Sequence, residues 1–185
     1  MPDHDFFLRP LTSRDLPKVR ELHTKILPVQ YPTAFFIQLL VLPTRACFVA
    51  YRRSHPTVPI AFISAAIRQP LSSHQCFILG SSEGRPSNKS FLPHLEILTL
   101  GVLPPYQKRG LARRLFQRML DSLRESCPTN FLQGTLVYAN VATCNTEALK
   151  FYERMGMAIS SEVIRNLYRT LSYGSRDGYM VVGVL

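Results

Sequence analysis

Apolar positions change their spacing several times along this chain, and each change marks an element. Asp5–Pro10 reads as a short strand. Leu16, Val19, Leu22 and Ile26 then recur at three and four, which predicts a helix with one apolar face. Thr12-Ser13-Arg14-Asp15 precedes it as a cap: Thr12 or Ser13 accepts orphan N–H bonds, and Asp15 sits near the positive helix end. Pro28 ends this helix. Tyr31–Leu42 is a second, mostly apolar helix closed by Pro43. Arg45–Tyr51 and Val58–Ile67 are rich in Val, Ile, Phe and Ala and flank a turn-like cluster, Arg52–Thr57. They read as two antiparallel strands.

Residues 69–93 are serine-rich and poor in charge, which predicts a long surface loop, with Cys76–Leu79 as a short β addition inside it. His94–Leu103 is a buried strand stopped by Pro104-Pro105. Arg109–Glu125 is an amphipathic helix: Leu111, Leu115, Phe116, Met119, Leu120 and Leu123 face inward, Arg113, Arg114, Arg118 and Asp121 outward. Thr135–Ala142 is a strand, and Thr146–Met155 a helix between an Asn145 N-cap and Gly156. Ala158–Arg165 and Gly178–Val184 close the chain as strands around a turn at Gly174–Gly178. This order predicts one α/β (α+β) domain over residues 5–184, a sheet with helices on both faces.

Composition narrows the picture. Hydrophobic residues are 46% and charged residues 18%, which excludes a disordered polyelectrolyte. The net charge of +10 favours an anionic partner: nucleic acid, ribosome, acidic membrane or a phosphorylated cofactor. The basic residues are scattered without an RRM, KH or zinc pattern, so DNA is not an expected partner. Four cysteines, at 47, 76, 127 and 144, form neither a disulfide framework nor a CxxC pair, and no metal is expected. Ala34–Leu42 and Ile60–Ile67 are the longest apolar stretches, far below the ~18 residues that a membrane span needs. With an acidic start that lacks a signal-peptide n-region, a soluble cytoplasmic protein is expected.

The sharpest local signal is Leu98-Thr-Leu-Gly-Val-Leu-Pro-Pro-Tyr-Gln-Lys-Arg-Gly-Leu-Ala112, a strand leading into Gln107-Lys108-Arg109-Gly110-Leu111-Ala112 at a helix start. Unpaired helical N–H groups, a positive dipole end and two small residues make an anion site suited to a pyrophosphate, with charge from Lys108 and Arg109. No GK[ST] follows, so it is not a Walker loop, and the three-glycine dinucleotide pattern is missing.

This segment resembles the [QR]-x-x-G-x-[GA] acetyl-CoA motif of the GCN5-related N-acetyltransferase (GNAT) superfamily. Asn145-Thr-Glu-Ala-Leu-Lys-Phe-Tyr-Glu-Arg-Met-Gly-Met157 is similar to that family's N-x-x-A-x-x-F-Y-x-x-x-G-F stretch. The resemblance implies a mixed, mostly antiparallel sheet of about seven strands that splays between Leu98–Leu103 and Leu136–Ala142. Acetyl-CoA would lie in that opening with its pantetheine on Leu100, Gly101 and Val102. Asn145 and Tyr152 would also touch the coenzyme, Tyr152 as general acid to the thiolate.

Leu27-Pro28-Val29-Gln30-Tyr31 resembles a segment of N-terminal protein acetyltransferases, of the NatE catalytic-subunit type first and the NatF type second. In those enzymes the loop lines the cleft for the substrate's first residues, which implies protein N-terminal peptides as acceptors. An apolar wall of Leu27, Pro28 and Val29 beside the Tyr31 hydroxyl suits Met followed by a hydrophobic residue. Tyr168 falls where these enzymes carry a hairpin tyrosine closing the peptide tunnel. Asp177-Gly178-Tyr179 is more like the NatF type. The resemblance also implies a large auxiliary subunit of a NatA-type complex and the ribosome as partners.

Two positions depart from the pattern. Glu96 stands at the family's strand tyrosine and Asn140 at its histidine. Glu96 coincides instead with the catalytic glutamate of Gcn5-like histone acetyltransferases. Alternation places Glu96 with Leu98 and Leu100 on one face, and a carboxylate among apolar neighbours suits base work through water. The expected base is Glu96, with Asn140 holding water; Tyr138 and His94 are nearby alternatives. Two other readings stand beside N-terminal acetylation: a lysine or small-amine acetyltransferase, and a silent coenzyme-binding subunit of a ribosome-associated acetyltransferase.

Overall fold

A computed structural model describes residues 5–68, 94–126, 134–168 and 174–185. Seven strands form one sheet in the order β1-β2-β3-β4-β5-β7-β6. These are β1 (Phe6–Pro10), β2 (Arg45–Arg52), β3 (His55–Arg68), β4 (His94–Val102), β5 (Leu136–Ala142), β6 (Ala158–Ile159) and β7 (Gly178–Val184). All neighbours are antiparallel except β4 and β5, which run parallel. The helices are α1 (Leu16–Ile26), α2 (Thr33–Val41), α3 (Leu111–Ser126) and α4 (Thr146–Arg154).

Each sheet face has its own cover. Leu111, Leu115, Phe116, Met119, Leu120 and Leu123 of α3 and Tyr152 of α4 pack with Ile63, Ala65, Leu95, Ile97, Val137 and Val181 on one side. Val19 of α1 and Leu39 of α2 pack with Cys47, Val49 and Tyr51 on the other. The α3 stripe expected from periodicity is therefore the core contact, by the ordinary gain from removing apolar surface from water. At the start of α1, Asp15 accepts from Thr12 N (3.0 Å) and takes both Arg9 guanidinium nitrogens at 2.6 and 2.8 Å. That bidentate pair ties β1 to the helix entry.

Several boundaries differ from the periodic reading. Strand β3 starts at His55, so the turn before it shrinks to Arg53-Ser54. Helix α2 starts at Thr33 because Pro32 is its N-cap. Helix α3 starts at Leu111, since Lys108 (φ 58°) and Gly110 (φ 78°) take left-handed conformations that helices exclude. The expected Ala158–Arg165 strand is only Ala158–Ile159 plus an isolated Ile164–Gly178 bridge. The Ser-rich stretch 69–93, with its short β addition, lies outside the described residues.

Two register features build the site. Pairing between β4 and β5 covers His94–Ile97 against Leu136–Ala139 and stops there, although β4 runs on to Val102 and β5 to Ala142. The two strands diverge beyond that point. In addition, Ser64 lies opposite Thr99 and Ala65 opposite Ile97, so Leu98 is an extra residue in a β-bulge. The bulge corrects the simple alternation. Leu98 packs with the α1–α2 side cluster, but Leu100 packs with the α3 side cluster. Glu96 thus shares its face with Leu98 and not with Leu100, because one extra residue shifts the period-two pattern.

Candidate active site

A cavity of about 380 Å³ opens at the divergence of β4 and β5. The α1–α2 loop contributes Leu27, Pro28, Val29 and Tyr31; α2 adds Phe35; β4 adds Glu96 and Leu98–Leu100. Asn140 comes from β5, Asn145 and Tyr152 from the start and middle of α4, and Tyr168 from the segment before β7. With Arg45 of β2, residues from six separate stretches of sequence thus meet on one space. The Tyr168 hydroxyl donates to the Asn140 backbone carbonyl at 2.8 Å, which lays the segment before β7 over the β5 edge. Gly178 permits this: a Cβ there would lie 2.5 Å from Leu167 Cδ2 and 3.3 Å from Tyr168 Cε2.

Leu100 also lines a second groove of about 500 Å³ on the other side of the divergence. Gly101, Val102, Tyr106, Gln107, Lys108, Gly110, Leu111 and Ala112 form one bank, and Ala148, Phe151 and Met155 of α4 the other. The left-handed residues Lys108 and Gly110 curl the loop ahead of α3, whose first N–H groups have no helical acceptor. Together they form a concave anion site at a positive helix end. Gln107 Nε2 donates to Val102 O at 2.9 Å and holds the loop against β4. Lys108 reaches Glu147 across the groove at 3.2 Å, both side chains exposed.

Residues 16–157 match the acetyltransferase (GNAT) family. The chain belongs to the acetyltransferase (GNAT) family. Over 61 residues, 33% of this chain and 33% of the relative, it is 41% identical to N-alpha-acetyltransferase RimI of Mycobacterium tuberculosis. Over 153 residues, 80% of this chain and 58% of the relative, it is 26% identical to histone acetyltransferase MCC1 of Arabidopsis thaliana. The matched stretches therefore span only a third to somewhat over half of these relatives' length. Arabidopsis thaliana NAA60 in complex with acetyl-CoA shares the fold, with a TM-score of 0.77, 24% identity and 97% and 98% of the two chains covered. GNAT acetyltransferases use acetyl-CoA, and the NAA60 structure holds it.

The groove fits a phosphorylated coenzyme by its backbone curl and by its cations, Lys108, Arg113 and Arg154. Arg109, expected beside the pyrophosphate, is not among the groove's lining residues; its guanidinium lies 5.8 Å from the Tyr106 ring. Arg113, expected on the solvated outer face, is exposed there and also lines the groove. Arg118 is distant from it, paired with Glu125 at 2.9 Å and lying over Phe48. Asn145 has a structural duty as N-cap, its Oδ1 accepting from Ala148 N at 3.1 Å.

In the cavity at the strand divergence, burial pushes the Tyr152 phenol above its ordinary range, so it stays protonated and able to donate at neutral pH. Burial likewise pushes Tyr31 and Tyr168 to about 12. All three phenols are neutral and can donate. Glu96 pairs across the sheet with Tyr138, and Tyr138 shares its face, but Tyr138 does not line the cavity. His94 also sits outside it.

Sequence reasoning passed over two residues. His23 is 1% exposed and stacks on Phe62 with ring centroids 3.6 Å apart. Its Nδ1 donates to Val19 O (2.8 Å), which leaves Nε2 to accept from Thr99 Oγ1 (3.2 Å). Thr99 and Ser64 hydroxyls are 2.5 Å apart, completing a buried chain from α1 through the β4 bulge to β3. Burial lowers His23 to about 4, so it is neutral. A histidine on an apolar helix face was the available signal. Arg45 is the second: it lines the cavity, and its Nη1 is buried without a hydrogen-bond partner among the described residues.

Proposed function

We propose that this chain is an N-α-acetyltransferase that moves acetyl from acetyl-CoA to the N-terminal amine of a peptide, with Met followed by a hydrophobic residue as the favoured start. One observation carries the reading: Leu27, Pro28, Val29, Tyr31 and Tyr168 wall the same cavity that holds Glu96, Asn140 and Tyr152 at the strand divergence. The apolar wall takes the first side chain. The unprotonated α-amine, whose ordinary pKa is ~7.7–8.0, attacks the thioester carbonyl. Glu96 removes the excess proton through a water held by Asn140. Backbone N–H groups of the bulged β4 around Leu100 receive the oxyanion. Tyr152 gives a proton to the departing thiolate. The coenzyme pyrophosphate lies on the loop at Gln107–Ala112.

As a cytoplasmic enzyme of this kind it would meet its substrates on or near the ribosome, with a large auxiliary subunit as a partner class. A second reading, lysine acetylation, draws on Glu96 and on the histone acetyltransferase among its relatives. One assay separates them. Met-Leu peptides with free α-amines gain 42 mass units per acetyl from acetyl-CoA (roughly, by the acyl-transfer stoichiometry), and α-blocked peptides with a free lysine do not. The reverse pattern overturns the proposal, and coenzyme binding without turnover identifies a silent subunit.

A further inference from the structure

Arg45 opens β2 and stands in one row across the sheet with the base candidate. It pairs with Ala66 of β3, Ala66 pairs with Glu96 of β4, and Glu96 pairs with Tyr138 of β5. Directly paired residues face the same side, so Arg45 and Glu96 share the α1–α2 face, two strand spacings or ~10 Å apart. Both line the acceptor cavity. The same cavity is also lined by Leu98, Phe35 and Tyr31, which are apolar or phenolic.

Arg45 Nη1 is shut off from solvent with no hydrogen-bond partner among the described residues. A guanidinium cannot shed its charge, and its fork suits a carboxylate. Leaving a charged donor buried and unpaired incurs its desolvation penalty with nothing in return. A small rotation toward the cavity is the cheapest route to an acceptor. Water can provide one, and a bound carboxylate provides a better one.

Resting on the N-terminal acetylation reading above, we infer that Arg45 is a specificity residue that selects acceptor peptides bearing a carboxylate side chain at their third residue, after the hydrophobic second one. The peptide's α-amine sits toward Glu96 and its acidic side chain toward Arg45. An extended chain advances ~3.3 Å per residue, so a side chain two residues on, together with the reach of Arg45, spans the ~10 Å between them. The net charge of +10 favours approach of such peptides at low salt.

The test compares kcat/KM for the paired peptides Met-Leu-Asp and Met-Leu-Asn on the wild-type chain, Arg45→Met and Arg45→Glu. The wild type prefers Asp over Asn at the third position by at least fivefold, through KM, and the preference shrinks with added salt. Arg45→Met brings the ratio to near one, and Arg45→Glu inverts it. If the variants do not fold, the salt-sensitive preference of the wild type for the free carboxylate still decides, with the peptide's amide as control. Equal transfer to Asp and Asn peptides overturns this assignment and leaves N-terminal acetylation standing. No transfer to any peptide with a free α-amine overturns both.

Discussion

The Tyr168 hydroxyl donates to the backbone carbonyl of Asn140 at 2.8 Å, so its proton is committed to holding the cleft shut over β5. Burial keeps that phenol protonated up to about 12. A tyrosine engaged in this way does not act as a base, and on the proposed reading its part is to position the peptide. Tyr168→Phe loses the tie without losing the ring. The expected result is a KM for Met-peptides raised several-fold with kcat changed less than twofold. A kcat loss above tenfold at constant KM gives Tyr168 a chemical role instead.

Glu96 and Asn140 stand where the N-terminal acetyltransferases that the sequence resembles carry a tyrosine and a histidine. Removing a general base costs ~10²–10⁴ in rate. Glu96→Gln is expected to lower kcat by at least a hundredfold near neutral pH. Recovery at high pH follows, where the amine is already unprotonated. Unchanged kcat from pH 6 to 9 removes Glu96 from the mechanism.

The coenzyme groove divides the arginines differently from the periodic reading. Lys108 and Arg113 line it, and Arg118 does not. Calorimetry with coenzyme A should show Kd raised several-fold in Lys108→Ala and Arg113→Ala, and within twofold in Arg118→Ala. Exposed charges weaken with salt, so the difference narrows at high ionic strength. A larger effect from Arg118 than from Arg113 places the phosphates elsewhere.

The buried His23 chain predicts a pH dependence of stability. His23 is lowered from 6.5 to about 4 on folding, because burial disfavours the imidazolium. The unfolded chain therefore takes up the proton first. The stabilisation is complete above pH ~6.5 and is lost as pH falls toward 4, on the order of 3 kcal/mol. Asp15, held below the usual carboxylate range by Arg9, adds a further loss at lower pH. Urea unfolding at pH 7, 6 and 5 measures the slope. His23→Gln should flatten it over that range, and an equal slope in the variant disproves the assignment.

Thr99→Val tests the same chain from β4. It strands His23 Nε2 and the Ser64 hydroxyl, a cost of ~1–3 kcal/mol. Because Thr99 adjoins the bulged Leu98, kcat should fall beyond what lost folded population explains. Thr99→Ser, which keeps the hydroxyl, should restore it.

Much of this was local and therefore legible along the chain. The α3 stripe from Leu111 to Leu123 is a period set by helix geometry. Proline and glycine punctuate the turns. The Gln107–Ala112 loop and the Asn145 cap carry their chemistry in a few contiguous residues. The cleft-wall residues Leu27–Tyr31 and Tyr168 were singled out through resemblance, and the folded chain gathers them on one cavity. Three things depended on pairing between distant strands. The bulge at Leu98 turned Leu100 to the opposite face from Glu96, which alternation within β4 alone could not reveal. The His23–Thr99–Ser64 chain joins residues up to 76 positions apart. Arg45 came into the acceptor cavity only because β2, β3 and β4 align it with Glu96. Periodicity reports which side of an element is apolar. Register, a property of two strands together, decides which polar side chains meet there.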